Sequence, residues 1–131
     1  MSYQRGTETI LLVDDEEALR TVVVDLLSQL GYYVLSAGNG RQAIKIAQEY
    51  PDKIDLLLTD VVMEGLPGPE LAETLLRGRP EMKVVFISGF ADGSHDWDSI
   101  LRPGMVLVQK PFSIKILSTK LREVLHSQGP A

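Results

Sequence analysis

The sequence predicts an α/β domain built on a doubly wound parallel sheet, with helices on both faces. Three observations carry this. Short β-rich runs take turns with longer segments of helical period along the whole chain. There are five such runs, and the four connections between them are long enough to return the chain for a parallel strand. The third run, residues 54–59, is apolar almost throughout, as a central strand covered on both faces must be.

The elements follow in order. Residues 9–13 form the first run and stop at Asp14 and Asp15. Residues 16–30 carry Leu19, Val22, Val23, Leu26, Leu27 and Leu30 at three- and four-residue steps, the period of a helix with one buried face. Glu16 and Glu17 sit in its first turn, where the helix dipole favours negative charge, and Gly31 follows as a C′ glycine. Residues 32–37 read as a second strand. Asn39 can cap a helix from Gly40 to about Tyr50, with Ala43, Ile44 and Ala47 inward and Pro51 ending it. The third strand ends at Asp60. Residues 61–69 hold two glycines and two prolines and read as loop. Pro69 can start a helix to Arg77, with Leu71, Ala72, Leu75 and Leu76 inward. Residues 83–88 form an aliphatic fourth strand. Residues 91–104 are rich in poor helix formers, so only a short helix over 97–101 is expected. Residues 105–109 form the fifth strand. Ser113 can cap a last helix over residues 114–126, with Ile116, Leu117, Leu121, Val124 and Leu125 available for burial.

Composition narrows the function classes. At 131 residues the chain is long enough for one domain. It has no cysteine, which excludes thiol chemistry, Cys-ligated zinc and iron–sulfur clusters. The balance of 13 basic against 18 acidic residues, net −5, argues against direct nucleic-acid binding, which needs clustered Lys and Arg. No apolar stretch approaches membrane-spanning length, and residues 1–9 lack the apolar block of a signal peptide. These features point to a soluble, cytoplasmic chain without membrane contact.

The strand ends carry the chemistry. Asp14 and Asp15 follow strand one, Asp60 ends strand three, Ser88 ends strand four and Lys110 follows strand five. In a parallel sheet all five project at the carboxyl edge, where ligands of such folds bind. Each alone has a plain reading: an aspartate at a strand end is commonly a turn or capping residue, and a lone lysine is ordinarily solvated. The set at one edge does not. Three carboxylates together repel unless a cation sits among them, and hard oxygen ligands suit Mg²⁺, with Mn²⁺ as an alternative. A carboxylate beside such an ion is a competent nucleophile toward phosphorus.

Four stretches now carry a resemblance: Leu11-Leu12-Val13-Asp14-Asp15-Glu16, Leu58-Thr59-Asp60-Val61-Val62-Met63, Phe86-Ile87-Ser88-Gly89, and Lys110-Pro111-Phe112. In order and spacing they resemble the receiver domain of two-component response regulators, across nearly the whole chain. The resemblance implies a flavodoxin-like fold with strand order 2-1-3-4-5, a receiver spanning residues 9–126, and tails at 1–8 and 127–131. It implies that Asp60 accepts a phosphoryl group from a phosphohistidine of a histidine kinase or phosphotransfer domain. Asp14, Asp15, Asp60 and the backbone carbonyl of Val62 would hold Mg²⁺. Ser88 would bond the phosphoryl group and move inward, and Lys110 would pair with it, with a cis Lys110–Pro111 bond. Such a domain is a signalling switch rather than a classical enzyme, although it catalyses its own phosphorylation and dephosphorylation. Finer features, such as Gly68-Pro69-Glu70-Leu71-Ala72 and Ser88-Gly89-Phe90, resemble receivers fused to hybrid sensor histidine kinases. A stand-alone regulator, a domain fused to a kinase or output module, and a homodimer all stay open.

The chain departs from the family's pattern in places. Glu64 stands where proline is common; it is either a solvated loop residue or a carboxylate that tunes the metal site. Leu107 stands where many receivers have Tyr or Phe, so a ring flip cannot report the phosphorylated state. Val62 and Phe90 flank the expected site and should hinder attacking water. Three rivals are weaker. A phosphoaspartate hydrolase would need an acid/base carboxylate at the position of Val62. A docking module that works unphosphorylated would not need the full acid set. An FMN carrier would not place acidic residues after strand one.

Overall fold

The computed structural model describes residues 6–89, 101, 105–110 and 112–126. Five strands form one parallel sheet: β1 (Thr9–Val13), β2 (Tyr33–Ala37), β3 (Leu56–Asp60), β4 (Lys83–Ser88) and β5 (Val106–Gln109), in the order β2-β1-β3-β4-β5. Among the described residues there are four helices: α1 (Glu17–Gln29), α2 (Gly40–Glu49), α3 (Gly68–Gly78) and α4 (Ile114–His126). Both the doubly wound class and the strand order expected from the resemblance are found. The short helix expected over 97–101 falls mainly outside the described residues.

Side-chain alternation along the strands divides the core in two. On one face Ile10, Leu12, Leu56, Leu58, Val85, Ile87 and Val108 pack against Val23 and Leu27 of α1 and Leu117, Leu121, Val124 and Leu125 of α4. On the other, Leu11, Val13, Leu57, Val84 and Phe86 pack against Ala43 and Ala47 of α2 and Leu71, Ala72 and Leu75 of α3. Every residue of β3 is buried, which is why its sequence lacks the alternation of a half-exposed strand.

The helix ends obey their local chemistry. Asn39 accepts a hydrogen bond from the Gln42 amide at 2.8 Å, and the Ser113 hydroxyl accepts from the Ile116 amide at 3.1 Å. Gly31 takes φ +104°, and the amides of Gly31 and Tyr32 donate back to the carbonyls of Ser28 and Leu27 at 3.0 and 3.2 Å, a Schellman closure of α1. Two residues depart from expectation. Val22 is 53% exposed and Ile116 is 52% exposed, because each helix turns a neighbouring residue, Val23 and Leu117, onto the sheet instead. Three- and four-residue spacing admits both members of such a pair, and only packing against the sheet selects one.

Residues 6–8, expected as part of a tail, are tied to the body. The Gly6 amide donates to the Leu30 carbonyl at 3.1 Å. The Arg122 guanidinium of α4 grips Glu8 with two bonds, Nη1 to Oε1 at 2.9 Å and Nη2 to Oε2 at 2.7 Å. It also donates to the Tyr32 hydroxyl at 3.3 Å. The guanidinium's hydrogen bonds outweigh partial burial and hold the Glu8 carboxyl down at about 2.

Candidate functional site: an acidic pocket at the carboxyl edge

The register of the parallel sheet builds the site. Val13 pairs with Thr59, Asp60 with Ile87, and Ser88 with Gln109, so the residues after β1 and β5 and at the ends of β3 and β4 arrive at one edge. The Lys110 amide donates to the Ser88 carbonyl at 2.7 Å and carries that register one residue further.

Asp14 is the most firmly held of the acids. Its amide donates to the Ala37 carbonyl at 3.2 Å, and its Oδ1 accepts from the Glu16 amide at 2.9 Å, an Asx-type turn just before α1. Its carbonyl accepts from Arg20 Nη1 at 2.7 Å. The side chain is buried, as is that of Asp60, whereas Asp15 is exposed. One carboxylate oxygen from each of Asp14, Asp15 and Asp60 lies within 4.8 Å of the others. Lys110 Nζ stands 3.3 Å from Asp60 Oδ2 and 3.6 Å from Asp14 Oδ2.

Electrostatics follow from this geometry. Burial and then the nearby Asp14 charge oppose ionisation of Asp60, while Lys110 favours it; the balance raises its pKa from 3.8 to about 6. Burial alone would lower the Lys110 ammonium, but Asp60 and Asp14 overcome it and hold the pKa above its ordinary value. Two buried carboxylates, a third at the mouth and one ammonium make a pocket with surplus negative charge. A hard divalent cation fits that oxygen donor set.

The match to known proteins decides the family. The family model of the response regulator receiver domain matches residues 10–122. The chain belongs to this family. The receiver is 36% identical over 123 residues to the sensor kinase CckA of Brucella abortus (strain 2308), spanning 94% of this chain but only 13% of that kinase. It is 35% identical over 116 residues to the response regulator receiver protein CpdR of the same organism, spanning 88% of this chain and 95% of CpdR. The solved receiver domain from the hybrid histidine kinase CckA superposes with a TM-score of 0.70 at 35% identity, over 90% of this chain and 99% of that one. Domains of this family serve two-component signalling. Among the described residues, no helix of the receiver is long and apolar enough to cross a membrane.

The remaining expected site residues stand as follows. Ser88 is buried, and its hydroxyl donates to the Gly89 carbonyl at 3.1 Å. Val62 is 58% exposed beside the pocket, and Glu64 is exposed and outside the acidic cluster. Leu107 is half-buried, pairs with Phe86 across β4 and β5, and packs on the α2–α3 side of the sheet. Phe90 and Pro111, with the cis bond expected before it, lie outside the described residues.

Three contributors escaped the sequence reading. Arg20 pins the Asp14 carbonyl. The Thr59 hydroxyl donates to the Asp60 carbonyl at 3.0 Å. Gly68 packs against that same carbonyl. All three act on backbone atoms, and only the position of Thr59 beside Asp60 offered a clue.

Proposed function

We propose that this receiver accepts a phosphoryl group on Asp60 from the phosphohistidine of a histidine kinase or phosphotransfer domain. A carboxylate oxygen of Asp60 attacks phosphorus, the P–N bond to the imidazole breaks, and an acyl phosphate forms. The observation that carries this reading is the placement of a buried aspartate at a strand end, between two further carboxylates and one lysine ammonium.

Asp14, Asp15 and Asp60, with the Val62 carbonyl, would hold the Mg²⁺ or Mn²⁺ ion that such chemistry uses. When bound, the ion supplies positive charge that lowers the repulsion between the carboxylates and the incoming phosphoryl oxygens. The chain's own residues do the rest. Lys110 bridges Asp60 and Asp14 and is placed to pair with a phosphoryl oxygen on Asp60. Rotation of the Ser88 hydroxyl away from the Gly89 carbonyl would free it to donate to that group. The half-buried Leu107, with Phe90, would transmit the change by repacking rather than by a ring flip. Val62, exposed and two residues after Asp60, would hinder attacking water and slow hydrolysis.

The domain meets its donor in the cytoplasm. The CckA likeness supports a place in, or beside, a larger hybrid kinase. Incubation with acetyl phosphate and Mg²⁺, followed by intact mass measurement, tests the central claim. One added phosphoryl group on the parent and none on Asp60→Ala is the expected result. Equal labelling of both proteins would remove Asp60 from its role.

A further inference from the structure

The peptide that follows Asp60 is held from three sides. The Val61 amide donates to the Ile87 carbonyl of β4 at 3.0 Å. The Thr59 hydroxyl donates to the Asp60 carbonyl at 3.0 Å. On the remaining side sits Gly68, the first residue of α3, whose own amide donates to the Val61 carbonyl at 2.9 Å. A Cβ at Gly68 would overlap the Asp60 carbonyl oxygen and lie 3.1 Å from both the Asp60 carbonyl carbon and Val61 Cα. Those are backbone atoms, which cannot swing aside as the end of a long side chain can. The loop is also packed just before Gly68. Leu66 packs so tightly on Gly40, at the start of α2, that a Cβ there would lie 2.8 Å from Leu66 Cβ.

The geometry points to Gly68 as a positioning residue for Asp60. Its missing side chain lets the start of α3 seat on the Asp60–Val61 peptide, and that seat sets where the Asp60 carboxyl stands relative to Asp14 and Lys110. A methyl group at this position forces α3 away or tilts the peptide, and β4 resists the tilt on one side only. Both responses displace the carboxyl. Displacements of this kind are costly, since misplacing a reacting group by about 1 Å can lower a rate about 100-fold. The inference rests on the phospho-acceptor reading of Asp60.

Gly78 supplies the internal control. It ends the same helix, and a Cβ there meets nothing within 4 Å. Gly68→Ala, Gly78→Ala and Thr59→Val would be compared with the parent in three measurements. These are the amide shifts of Asp60 and Val61 in EDTA, the Mg²⁺ dissociation constant from a shift titration, and the rate of labelling by acetyl phosphate at saturating Mg²⁺. For Gly68→Ala the expected results are displaced Asp60 and Val61 amides, weaker Mg²⁺ binding, and labelling slowed about tenfold or more with the protein still folded. Gly78→Ala should match the parent in all three. Unmoved amides and parental Mg²⁺ affinity in a folded Gly68→Ala protein would overturn the proposal. If Gly68→Ala does not fold, Thr59→Val decides, because it removes the other contact to the same carbonyl while keeping a β-branched shape. Parental amide shifts and labelling there would also overturn it. A parent that takes no label refutes the phospho-acceptor reading instead, and the metal-free shifts and Mg²⁺ affinity still judge the place of Gly68.

Discussion

The ammonium of Lys110 stands 3.3 Å from Oδ2 of Asp60, although the two residues are fifty positions apart in the chain. Its distance to Asp14 Oδ2 is 3.6 Å, so one cation serves two buried acids. Replacing it by Met should leave those acids without a counter-charge. We expect Lys110→Met to destabilise the metal-free protein by about 1–3 kcal/mol, the cost of breaking a partly buried pair. The loss should shrink when Mg²⁺ is added. Urea unfolding in EDTA and in excess Mg²⁺ would check both statements, and an equal loss in the two buffers would contradict the second.

Asp60 predicts the opposite sign. Its carboxyl titrates near 6 in the folded chain instead of 3.8, so ionisation there works against folding. The penalty is absent below the unfolded value, grows between about pH 4 and 6, and is complete above that. The full shift would correspond to about 3 kcal/mol, and screening by water at the pocket mouth reduces this to about 1–2 kcal/mol. Asp60→Asn should therefore be more stable than the parent by that amount at pH 7.5 without metal. The advantage should vanish near pH 4. Denaturant midpoints across that pH range provide the measurement.

Glu8 lies on the other side of the ledger. Its carboxyl is held at about 2 instead of 4.5 by Arg122. A depressed carboxyl stabilises the fold above its unfolded value and loses that contribution as pH falls from 4.5 toward 2. Because Glu8 is partly exposed, we expect Glu8→Gln to cost only about 1 kcal/mol at pH 7. The difference from the parent should narrow steadily below pH 4.5. A difference that stays constant down to pH 3 would show that the charge is not what matters.

Neighbouring valines of α1 should behave differently. Val23 is buried against the sheet and Val22 is 53% exposed. Val23→Ala should cost about 2 kcal/mol through lost burial and a residual cavity. Val22→Ala should stay within about 0.5 kcal/mol. Thermal unfolding of the two variants would separate them.

That pair also marks how far the amino-acid order alone reaches. The bounds of β1 and β4 are legible because each is a dense aliphatic run ending at a polar residue. The helix caps at Asn39 and Ser113 are legible because capping is local chemistry. The acid set and Lys110 are legible because parallel topology sends every strand end to one edge. The choice between Val22 and Val23 is not, since it depends on how far the helix rotates over a sheet formed by distant segments. The grip of Arg122 on Glu8 joins residues at opposite ends of the chain, and no local pattern announces it. Arg20 and Gly68 are opaque for another reason: what they touch is a carbonyl, which every residue possesses.

The two ends of the sheet differ in kind. At the carboxyl edge, three acids crowd together with one lysine paired to two of them, and the native fold holds groups that would separate if the chain allowed it. At the opposite edge, where the chain enters β1, Glu8, Arg122 and Tyr32 interlock with matched charges and hydrogen bonds. The molecule thus concentrates its electrostatic repulsion where a cation can relieve it, and its matched charge pairing lies at the far end of the same sheet.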